Sequence, residues 1–98
     1  MKRNIDDLTG LPGADLVSQG LSDLRDGVTS ETALLVLIAA PRLRRLGFEI
    51  PARPDVQCPY EHTLYSVITA SGRSGAHSYY LSLLRRISSF ARALESGC

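Results

Sequence analysis

Apolar residues along the 98-residue chain recur at intervals of three and four rather than two. That period predicts helices and no strands. Leu16, Val17, Leu21 and Leu24 mark a first helix over about residues 13–26. Pro12 and Gly13 punctuate its start, Asp15 places a negative charge in its first turn, and Gly27 reads as its stop. Gly20 lies inside this helix, where it costs about 1 kcal/mol relative to Ala. It either admits a close helix crossing or marks a weak helix. A short turn around Ile5–Leu8 is a candidate fifth element.

The second helix is the most informative. Thr29 or Ser30 is a natural N-cap, and Glu31 puts an acid in the first turn. The run from Ala33 to Ala40 holds only apolar residues, so this helix has no polar face over two turns and is expected to sit at the centre of the core. Pro41 removes the bond to the carbonyl of Leu37. The stripe of Val36, Ala39, Ala40, Leu43 and Leu46 nevertheless continues past it. The pattern therefore predicts either one helix over 30–46, kinked near Pro41, or two abutting helices. Gly47 suits the position after the helix end, with Phe48 folding back onto Leu43.

Residues 48–58 contain two prolines and read as an extended connector, pinned by Phe48, Ile50 and Val56. Pro59 at a first helical position opens a third helix ending near Ala70–Ser71, with Tyr60, Leu64, Val67 and Ile68 as its stripe. After the loop Ser71–Gly75, a last helix runs from Ala76 to Glu95 on Tyr80, Leu83, Leu84, Ile87, Phe90, Ala91 and Leu94, with Gly97 closing it. The expected architecture is all-α. It is a compact bundle of four helices, with room for a fifth, forming a single domain over residues 1–98 around the second helix.

Composition narrows the function classes. At 44% hydrophobic and 21% charged, with a formal charge of +1, the chain matches a globular domain. No apolar run approaches the roughly 18 residues of a membrane span. The polar N-terminus lacks a signal-peptide pattern, and two cysteines, Cys58 and Cys98, make no disulfide framework. The expectation is a cytoplasmic protein with reduced thiols. Charge is uneven: residues 1–31 carry three bases and six acids, whereas residues 32–98 carry eight arginines and four acids. Packing of the acidic segment across the basic one explains this first; a basic face for an anionic partner is the second reading.

Candidate chemistry is sparse. Gly72, Arg73, Ser74 and Gly75, followed by His77, stand just before a helix start. Free N–H groups and the helix dipole there suit an anion or phosphate, and equally the residues suit a plain turn. The four residues resemble the Gly-x-x-Gly loop with which KH domains clamp nucleic-acid backbone, without that fold's strands. Arg73 and His77 are similar to the Arg–His pair of HEPN-type helical ribonucleases, at a tighter spacing than that family uses. The resemblance implies His77 as acid or base and Arg73 as phosphate holder.

Cys58, His62 and His77 match no zinc pattern, so no metal is expected. No nucleophile elbow or coenzyme fingerprint is visible, so neither catalytic residues nor a cofactor are assigned. Arg42, Arg44 and Arg45 end the second helix, and Arg85, Arg86 and Arg92 lie on the last one. They are a candidate interaction surface, or a solvated face pairing with the acidic first helix. The leading expectation is a small non-catalytic module acting by protein–protein interaction or as a homodimer. The alternative is a nucleic-acid or phosphate binder using the Gly72–Gly75 loop and the arginine faces, with a HEPN-like ribonuclease behind it.

Overall fold

The computed structural model describes residues 10–51, 53, 55, 56 and 59–95. The turn expected at Ile5–Leu8, the two cysteines and Gly97 lie outside them. Four helices follow in order: α1 (Ala14–Arg25), α2 (Glu31–Arg45), α3 (Tyr60–Ala70) and α4 (Ala76–Glu95). No strand occurs among the described residues.

The helix ends obey local chemistry. Asp26 caps α1, and Gly27 adopts φ 74° after it. The N–H of Gly27 then donates to the Leu24 carbonyl and that of Val28 to the Asp23 carbonyl. The same two-bond closure ends α2, from Gly47 to Arg44 and from Phe48 to Leu43. Both satisfy carbonyls that a bare helix end leaves orphaned. Ser30, not Thr29, is the N-cap of α2; its hydroxyl accepts from the Ala33 N–H at 3.1 Å. Pro59 is the N-cap of α3 rather than its first helical residue.

Helix α2 is the hub. Ala33, Leu34, Leu35 and Val36 are fully buried, and α2 packs against each of the other three helices. Residues 31–45 form one helix, not two. Pro41 stands on the exposed side of this helix, so its ring displaces no core side chain. Around the hub, Val17, Leu64, Ile68 and Phe90 are buried completely. Phe48, Ile50 and Val56 hold the connector down, and the Phe48 ring meets Phe90 at 5.9 Å.

Glycine allows the closest approaches. At Gly13, φ is 78° and an added Cβ would stand 2.6 Å from the Arg86 carbonyl oxygen of α4. At Gly20, a Cβ would overlap Val36 and stand 2.5 Å from the Thr32 carbonyl oxygen. The close-crossing reading of Gly20 is therefore the one realised.

The α1–α2 joint is polar. The Asp23 carboxylate accepts from the hydroxyls of Ser30 (2.5 Å) and Thr32 (3.0 Å) and from the Gln19 amide (2.9 Å). The Ser30 bond, ahead of those from Gln19 and Thr32, holds the Asp23 carboxyl below its ordinary pKa, against the opposing effect of burial. A lowered folded pKa means the carboxylate stabilises the fold at neutral pH. That contribution fades as pH falls through the ordinary aspartate range and is gone below the folded value. Urea midpoints measured between neutral pH and about pH 3 are thus expected to fall further for the native chain than for Asp23→Asn. Parallel curves would show that the joint does not depend on the charge.

Candidate functional site

Two polar links pair like ends of α2 and α4. Near their starts, the Tyr79 hydroxyl donates to Glu31 at 3.0 Å. Near their ends, the Arg42 guanidinium pairs with Glu95, its Nε at 3.0 Å from the carboxylate. The two helices therefore run in the same sense. Along their first halves α2 is wrapped completely. Further on, Ile38 and Ala39 are only half-buried and Pro41 is exposed. The result is an apolar groove of about 370 Å³ between Ile38, Ala39 and Pro41 on one side and Leu84, Ile87 and Ala91 on the other. Ser88 adds one hydroxyl, and Arg42 and Arg45 stand at its edge.

The six candidate arginines divide. Arg44 turns away to donate to the Ile50 carbonyl at 2.9 Å, fastening the start of the connector. Arg86 reaches across to α1 and pairs with Asp15 at 3.0 Å. The expected acidic–basic packing is thus seen at this contact, while among the described residues Asp23 is bonded to hydroxyls and an amide. Arg42, paired with Glu95, and Arg45 line the groove. Arg85 and Arg92 are seven apart on one flank of α4, each within a turn of Ser88. Arg45 and Arg85 are exposed and make no salt bridge among the described residues. The local field is readable at Glu95. Its bond from Arg42 holds its carboxyl below the ordinary range; burial opposes this, and the nearby charges of Arg42, Arg45 and Arg92 each add less.

The glycine loop has a different character. Gly72 follows the end of α3 at φ 74°, and the Gly75 carbonyl accepts the Tyr79 N–H at the start of α4, with φ 69°. Ending one helix and starting the next therefore accounts for both glycines. The Arg73 guanidinium lies 3.9 Å from the centre of the Tyr79 ring. Burial, and then the bond to Glu31, hold the Tyr79 phenol above its ordinary pKa, so it stays a donor. His77 lies two residues from Tyr79, about 200° round the helix, and its ring faces the edge of Tyr65 at 6.0 Å. Arg73 and His77 thus engage different neighbours on different sides of α4. Ser74 is exposed.

His62 is exposed, and no group of three metal-ligating side chains occurs among the described residues. Cys58, the remaining member of the weighed set, lies outside them. Among the described residues no helix is long and apolar enough to cross a membrane.

Of the groove residues, sequence reasoning singles out Arg42 and Arg45, whereas Ile38, Ala39, Leu84 and Ile87 read as core. A signal was present, however. Ile38, Arg42 and Arg45 share one helical face, and arginine at four and seven residues past Ile38 marks where that face opens to water. No family model, curated protein or solved structure matches the chain.

Proposed function

We propose that the protein is a non-catalytic helical module that binds another polypeptide through the α2–α4 groove. The observation that carries this reading is the half-open hub. The helix at the centre of the core leaves Ile38 and Ala39 incompletely covered, beside Leu84 and Ile87. Leaving aliphatic surface in contact with water costs about 25 cal/mol per Å², and contiguous apolar surface with a polar rim suits a protein contact. The nucleic-acid alternative has less support. Arg73 is occupied by Tyr79, and the two glycines serve the turn.

A photo-crosslinking residue placed at Arg45 or Leu81, both exposed, samples the groove in cells that make the protein. The same residue at Arg25 or Ser74 samples distant exposed surface. Discrete polypeptide adducts are expected from the first pair and none from the second. Absence of adducts at Arg45 and Leu81, or equal yield at Arg25, overturns the reading.

A further inference from the structure

We infer that the occupant of the groove is an acidic amphipathic helix of a partner protein; the inference rests on the interaction-module reading above. Length comes first. Residues 38–45 of α2 and 84–91 of α4 each extend roughly 10 Å at the α-helical rise. That matches the stripe a helix presents over two turns, with side chains at i, i+3 or i+4, and i+7. Leu81, exposed and one turn before Leu84, prolongs the apolar strip.

Charge then selects the occupant. The strip is bordered by Arg42 and Arg45, and exposed Arg85 stands one turn from Ser88 on the α4 side; the carboxylates nearby are Glu95, bonded by Arg42, and Glu61, across Ile38 and Pro41. Glu95 itself illustrates what the rim does: a carboxylate at this end of the groove is bonded by Arg42 and kept ionised among Arg45 and Arg92. A helix with glutamate or aspartate flanking its apolar stripe supplies further carboxylates to the same rim. A second copy of this chain does not. Two-fold pairing through the groove would set Arg45 and Arg85 against a second set of arginines, and like charges face to face oppose association. Nucleic acid fits poorly, because no aromatic side chain lines the groove to stack on a base.

The test uses the full chain and two labelled helical peptides with the same leucine stripe, one flanked by glutamates and one by lysines. Fluorescence anisotropy at low salt is expected to show about tenfold tighter binding of the glutamate peptide, the sum of a few exposed ion pairs. Raising the salt to about 0.5 M, where screening acts within a few ångströms, is expected to remove most of that preference. Arg45→Glu with Arg85→Glu, both at exposed positions, is expected to reverse it while leaving the circular dichroism unchanged. Equal binding of the two peptides overturns the acidic inference and leaves the interaction-module reading standing. Binding of neither peptide overturns it too, and crosslinking at Arg45 and Leu81 then decides the broader reading separately. Displacement of the glutamate peptide by a short single-stranded RNA would also overturn it, by assigning the rim to phosphates.

Discussion

Leu34→Ala is expected to destabilise the protein by about 3 kcal/mol, within the range for emptying a fully enclosed leucine site. Leu34 is completely buried in the first half of α2, where the helix is covered on all sides. Truncation there removes a buried side chain and leaves a cavity that three neighbouring helices cannot all move to fill. Leu81→Ala removes the same atoms from a position that is 42% exposed and is expected to change stability by no more than about 0.5 kcal/mol. A domain of this size has a total stability of roughly 5–15 kcal/mol, so the first change consumes a large share of it. Urea unfolding followed by far-UV circular dichroism measures both. Equal midpoints for the two variants would show that α2 is not the element on which the others assemble.

The all-helical architecture was legible because each helix carries its own period and its own stop. Gly27 and Gly47 end α1 and α2 with positive φ, at the places their sequence positions suggest. The uninterrupted run from Ala33 to Ala40 marks the hub, since a helix without a polar face must be enclosed, although Ile38 and Ala39 are only half-buried. The fate of Pro41 was less legible. A proline alone does not say whether a helix continues, because the outcome depends on which side of the helix its ring occupies. Here tertiary packing keeps residues 31–45 helical on both sides of it.

The candidate site was legible only in fragments. Listing six arginines could not reveal that Arg44 serves the connector and Arg86 serves α1, because both partners are set by the folded path. The Gly72–Gly75 loop drew notice for its composition, yet its glycines answer to the helix ends on either side. The groove went unread for the opposite reason. Leu84 and Ile87 fit the core stripe of α4, and whether such residues are covered depends on the relative placement of two helices. The nearest signal lay in α2, where Arg42 and Arg45 fall on the same face as Ile38.

Gly20→Ala is the sharpest test of how α1 meets α2. In an isolated helix this change is favourable by about 1 kcal/mol, because alanine forfeits less backbone entropy. In the fold it is expected to destabilise by about 2 kcal/mol net, since overpacking a close contact commonly costs more than propensity returns. The reason is the identity of the obstacles. The new methyl would overlap the Val36 side chain and lie 2.5 Å from the Thr32 carbonyl oxygen. Val36 is fully buried, and the Thr32 carbonyl belongs to the first turn of α2, so neither can yield without moving the hub. Adding Val36→Ala to Gly20→Ala relieves the side-chain overlap but not the backbone contact. The double variant is therefore expected to stay below the native midpoint, with non-additivity between the two sites. Ser22→Ala, exposed on the same helix, gives the propensity effect alone and is expected to be neutral or slightly stabilising. Were Gly20→Ala to raise the urea midpoint as Ser22→Ala does, the two helices would have to cross further apart than this packing places them. Glycine at that position would then reflect a weak helix rather than a close crossing.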